Sequence, residues 1–171
     1  MAICEILQFG NPVLRAKCGA FGEEGPSPGL LADLRDTLNH LQRVKGLGRG
    51  LAAPQIGHQM RAIYIHTPAR EVFLLNPEIT DRSKETFEVM DGCFSADLSF
   101  FGPVMRYRWV ETRFLDSSMA LHQELFQDEM SELIQHEVDH LDGILFIDRL
   151  ADTSRIVTFR EWQRLYRSPG E

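Results

Sequence analysis

An α+β fold is predicted for this 171-residue chain by three observations. Apolar residues recur at helical spacing before Gly46, the texture turns to short β-rich runs between Arg61 and Leu115, and helical spacing returns from His122. Strands that cluster between helices, instead of alternating with them, define the α+β class. In chain order, a Gly- and Pro-containing loop over 22–29 leads into a helix expected at 28–45. There Leu30, Leu34, Leu38, Leu41 and Val44 share a face, Ser27 caps, Pro28 sits in the first turn and Gly46 ends the helix. Ala62-Ile63-Tyr64-Ile65, Val72-Phe73-Leu74-Leu75, Thr86-Phe87-Glu88-Val89 and the run from Val104 to Leu115 are rich in β-branched and aromatic residues and read as strands. A second helix is expected from His122 to His140, with Leu125, Met130, Leu133, Ile134 and Val138 apolar and Asp142-Gly143 as the stop. Ile156, Phe159, Trp162 and Tyr166 mark a third amphipathic helix that docks its stripe on the core.

Size and composition bound the function. A chain of 19.6 kDa builds one core, so a single domain over 1–171 is expected. With 43% hydrophobic and 25% charged residues it is ordinary globular material. No apolar run approaches the ~18 residues needed to cross a bilayer, and the start lacks a basic segment followed by an apolar one. A net charge of −7 argues against a protein built to neutralise nucleic-acid phosphates. Cys4, Cys18 and Cys93 are odd in number and unpaired in spacing, which favours a reducing, cytoplasmic compartment over a disulfide framework.

The strongest chemical signal is His136-Glu137-Val138-Asp139-His140 within the second predicted helix. Residues four apart lie one turn apart on the same face, so both imidazoles reach one metal while Glu137 stands beside its water. A third ligand is then required. The metzincin continuation fails, because Phe146 stands where that pattern needs histidine. Glu161 is distant and in an amphipathic helix, whereas Cys93 occupies the turn-like Asp91-Gly92-Cys93-Phe94-Ser95 just after a strand and is the better candidate. The glycine-rich stretch from Gly46 to Gln55 follows a helix and carries Pro54, so it is no dinucleotide fingerprint, and no Gly-Lys-Ser/Thr makes it a P-loop. Its small residues allow close approach of backbone to a ligand, and Gln55 offers an amide donor.

Together, in this order, the segments Gly48 to Gln55, Asp91 to Ser95 and His136 to His140 resemble the three motifs of the peptide deformylases, metallohydrolases that remove formyl from N-formylmethionyl peptides. Similarity extends to Ile6-Leu7-Gln8, Pro12-Val13-Leu14-Arg15, Leu75-Asn76-Pro77-Glu78-Ile79 and 135–149. The resemblance implies a deformylase-like fold, with small antiparallel or mixed sheets around a central metal-binding helix. It implies one divalent metal on Cys93, His136 and His140 with water as fourth ligand, ferrous iron natively and zinc, nickel or cobalt as substitutes. By the same resemblance Glu137 is general base and then acid, Gln55 and the Phe94 backbone N–H meet the oxyanion, and Gly50 sets its backbone against the substrate. Asp91 and Arg106 join the expected substrate-binding set.

The departures are specific. Asp91 replaces the usual glutamate, Phe94 the usual leucine, and Ala96-Asp97 an aliphatic residue and proline. Arg49 stands at a position usually small or aliphatic, and Glu129 and Glu132 replace apolar residues on the metal helix, in the neighbourhood that shapes the methionine pocket. With His136 they form one helical stripe, so they either line a polar pocket or pair with Arg49 for structural reasons. Three functions follow: a deformylase of N-formylmethionyl peptides; the same chemistry on a polar formylated or short-acylated metabolite; or a metal- or ligand-binding relative without turnover. Neither nucleic acid nor membrane is an expected partner.

Overall fold

The computed structural model describes residues 3–166; Met1, Ala2 and 167–171, part of the expected domain, lie outside the described residues. The first helix forms as expected. α1 (Pro28–Lys45) takes Ser27 as N-cap, whose hydroxyl accepts from the Leu30 N–H, and ends at Gly46 in the left-handed region (φ 65). Its buried face is Leu30, Leu34 and Leu38; Val44, expected on the same stripe, is exposed. Each buried leucine contributes about 1.5–3 kcal/mol.

Strands β1 (Gly50–Ala52), β2 (Ala62–Thr67), β3 (Arg70–Arg82), β6 (Trp109–Leu115) and β7 (Leu121–Gln127) form a five-stranded antiparallel sheet in the order β1-β2-β3-β6-β7. A second antiparallel sheet holds β4 (Thr86–Asp91), β5 (Phe100–Tyr107) and β8 (Val157–Thr158), so the class is α+β and both sheets are antiparallel. At β2 the large sheet is buried on both faces. From β2, Ile63 and Ile65 pack with Leu133, Ile134 and Val138 of α2 (Asp128–Leu141), while Ala62 and Tyr64 join the α1 leucines. This two-sided burial is why β2 reads as a continuous apolar run.

Two expectations are corrected. The run from Val104 to Leu115 is two strands in different sheets, parted at Arg108, because its uniform β texture carries no mark of a change of partner. The segment 122–127 is not the start of the metal helix: β7 pairs along the whole of β6, from Trp109↔Gln127 to Leu115↔Leu121, and α2 begins only at Asp128. Its one buried residue, Phe126, faces the core and Leu125 faces water, as an edge strand requires. The C-terminal helix α3 (Phe159–Tyr166) docks by stacking Trp162 on Phe101 with ring centroids 4.5 Å apart, although Ile156 precedes it and Tyr166 is exposed. Among the described residues no helix is long and apolar enough to cross a membrane.

Candidate metal centre and active site

Helix α2 is buried from Ser131 to Leu141, and its 3.6-residue period turns His136 and His140 toward the end of β4. There the chain leaves β4 at Asp91 and enters a short 3₁₀ turn, Phe94–Ala96, with Cys93 as its N-cap. The Cys93 sulfur accepts from the Ser95 N–H at 3.3 Å and lies 3.2 Å from His140 Nε2. Ligand atoms of Cys93, His136 and His140 all fall within 4.8 Å of one another, and all three residues are buried. A thiolate and two imidazoles gathered around one point fit a divalent transition metal.

Glu137 lies between these ligands and β1. A Cβ on Gly50 would sit 2.6 Å from Glu137 Oε1, so the absence of a side chain at Gly50 lets the carboxylate lie against the strand. Glu137 Oε2 is buried with no hydrogen-bond partner among the described residues. Burial pushes the Glu137 carboxyl up to about 7, with His136 and Arg49 drawing it down and Asp91 and Glu132 pushing it up. Gln55 ends the first motif in a short 3₁₀ turn, and its Oε1 accepts from the Ala52 N–H at 2.9 Å. That bond fixes which way the amide faces, turning Nε2 toward Cys93 Sγ at 3.5 Å and Ser95 Oγ at 3.3 Å. Phe94 closes the other side: its ring fills the space where a Cβ on Gly48 (φ +102) would stand, locking the first and second motifs together.

Asp91 and Arg106, expected among the substrate contacts, lie instead beneath the metal ligands. Asp91 accepts from His136 Nδ1 at 3.0 Å, which leaves the ring's Nε2 for the metal, and from Arg106 at 2.8 Å. Arg106 is 2% exposed and is held between Asp91 and Asp139, 2.6 Å away, so its guanidinium is committed to two buried carboxylates. Asp139 also accepts two bonds from Arg149, at 2.9 and 2.6 Å. Burial alone would raise the Asp91 carboxyl, but His136 and Arg106 hold it well below the usual carboxylate range; in return Asp91 outweighs the burial that would lower His136 and raises it. His140, buried without such a partner and beside His136, is pushed down.

Arg49 and Glu132 form an ion pair across the gap between β1 and α2. Glu129 is exposed, and it is its backbone carbonyl that lies near Arg49, at 3.5 Å. Glu161 bonds Arg164 within α3, in keeping with its exclusion as a ligand. Ser95 and Asp139 were not singled out by sequence reasoning. Their partners are 40 and 33 residues away, and the only local trace is the acidic residue inside the histidine motif. A separate cavity of about 1100 Å³, lined by Arg82, Tyr107, Val138, Asp139 and Arg149 among others, holds none of the three ligands.

Three protein donors, with a buried carboxylate and an amide N–H beside them, suit a catalytic rather than a purely structural metal site, and the fold and site define a metal-dependent hydrolase. The sequence pattern of the polypeptide deformylase family matches residues 3–155. Peptide deformylase 2 of Clostridium perfringens (strain 13 / Type A) is 36% identical over 159 residues, 92% of this chain and 99% of that protein. The crystal structure of peptide deformylase from Thermotoga maritima superposes with a TM-score of 0.79 at 28% identity, over 89% of this chain and 100% of that one. A class I type b peptide deformylase from Acinetobacter baumannii, bound to Met-Ala-Ser, matches with a TM-score of 0.77 at 27% identity, over 87% and 99% of the two chains. The chain belongs to the polypeptide deformylase family.

Proposed function

We propose that this chain hydrolyses the N-formyl amide of formylmethionyl peptides, releasing formate and a free amino terminus, with 1–171 acting as one catalytic domain. The observation that carries the reading is Glu137, buried against Gly50 and beside the Cys93, His136 and His140 donor set, with the Gln55 amide turned toward the same point. A divalent metal on those donors supplies Lewis-acid activation of water and of the formyl carbonyl. Ferrous iron is its proposed identity, with zinc, nickel or cobalt as substitutes, and a reducing cytoplasm suits the Cys93 thiolate.

The protein's own groups handle the protons and the charge. Glu137, whose carboxyl is held above the ordinary carboxylate range by burial, accepts a proton from the attacking water. As the C–N bond breaks, the same carboxyl returns that proton to the departing nitrogen. Negative charge on the former carbonyl oxygen is met by Gln55 Nε2, whose orientation is already fixed by the Ala52 N–H, and by the Phe94 backbone N–H. Asp91 keeps His136 in one tautomer throughout, and Gly50 leaves room for substrate backbone beside Glu137. Formate release from formyl-Met-Ala-Ser by the metal-loaded protein tests the reading. Release above the metal-only background is expected; its absence with iron and with zinc would overturn it.

A further inference from the structure

The two walls of the site carry opposite charges. Arg49 directly precedes β1 and so adjoins Gly50, against which Glu137 lies. Glu132 is on α2 one turn before His136. Their ion pair therefore runs from one wall to the other, and both charges bear on the Glu137 carboxyl. Of the charged groups that do so, His136 and Asp91 belong to the metal set, whereas Arg49 and Glu132 serve none of the roles assigned above.

A substrate whose formyl nitrogen reaches Glu137 brings its first side chain only two bonds away from that nitrogen. That side chain meets the ion pair. The Arg49 side chain is 41% exposed and that of Glu132 12%, so the arriving group encounters the arginine first and, behind it, a carboxylate with lone pairs beyond the one given to Arg49. An apolar side chain strips water from both and returns no hydrogen bond. A carboxylate side chain satisfies Arg49 but opposes Glu132, and an ammonium does the reverse. A carboxamide matches both, its carbonyl accepting from Arg49 and its NH₂ donating to Glu132.

We propose that Arg49 and Glu132 are specificity-determining residues that make this deformylase prefer formylated peptides whose first side chain ends in a carboxamide over formylmethionyl ones. This rests on the reading of the chain as an N-formyl hydrolase.

The test compares formyl-Gln-Ala-Ser, formyl-Met-Ala-Ser, formyl-Glu-Ala-Ser and formyl-Lys-Ala-Ser with the metal-loaded wild type and with the Arg49→Leu/Glu132→Ile variant. The glutamine substrate is expected to lead in kcat/KM by about tenfold or more, the loss typical of stranded polar groups. The double variant is expected to reverse the order in favour of methionine. The product peptides Gln-Ala-Ser and Met-Ala-Ser, titrated calorimetrically, are expected to follow the same order without turnover. Should the double variant fail to fold or to hold metal, Arg49→Met alone, at the more exposed partner, carries the comparison. A wild type that handles methionine as well as glutamine, with variants leaving the ratio unchanged, overturns the proposal and leaves the deformylase reading standing. No formate from any of the four peptides overturns both.

Discussion

At the residue scale, Cys93 joins three structural duties: it caps the start of the second motif's turn, accepts the Ser95 N–H, and brings a sulfur to two histidines on another element. Two imidazoles alone make a poor site, so Cys93→Ala is expected to lose most bound metal, read by elemental analysis after desalting; full occupancy would exclude Cys93 as a ligand. Glu137→Gln is expected to keep the metal, because the ligands are untouched, while turnover falls ~10²- to 10⁴-fold. An amide of the same shape cannot carry a proton from water to amine, and near-normal formate release would remove Glu137 from that role. The histidine motif and Cys93 were legible in the sequence because their chemistry is local or nearly so. The positions of Asp91 and Arg106 were not: their separation from His136 and Asp139 in the chain conceals that they form one buried charge network.

At the scale of elements, the site is an agreement between β1, the turn after β4, and α2. Gly50 and Gly48 are the contact points, one opposite Glu137 and one opposite the Phe94 ring. Gly50→Ala places a methyl 2.6 Å from Glu137 Oε1 on a backbone that any residue can adopt, so the side chain yields instead of the strand. Folding and metal content are expected to persist while kcat falls on the order of 10²-fold, the cost of an ångström-scale displacement of a reacting group. Unchanged kcat would show that the carboxylate has room to spare. The sequence announced α1 well, since Ser27, Pro28 and Gly46 are local stop and start signals. It misplaced the beginning of α2, because the residues of β7 satisfy a helical pattern as well as an edge strand and only pairing with β6 decides between them.

For the whole molecule, Arg106 ties the small sheet to the metal helix: it lies on β5, bonds Asp91 at the end of β4, and reaches Asp139 on α2, which Arg149 also holds. Arg106→Leu leaves Asp91 buried with only His136 and Asp139 with only Arg149. Removing one partner of such a network costs about 3–5 kcal/mol. A lower denaturation midpoint in urea is therefore expected, accompanied by weaker metal binding through the loosened His136; an unchanged midpoint would show that the two carboxylates find other partners. The sequence by itself determined the α+β class, the boundaries of α1 marked by its caps, and the candidate donors Cys93, His136 and His140 with Glu137 beside them, because periodicity, turn residues and metal chemistry act over a few residues. Only the tertiary structure decided which sheet each strand joins, that Asp91 and Arg106 support the ligands from below, and that Arg49 meets Glu132 across the cleft. Those outcomes depend on contacts between segments tens of residues apart, whose free energy resides in burial and charge pairing that no local pattern records.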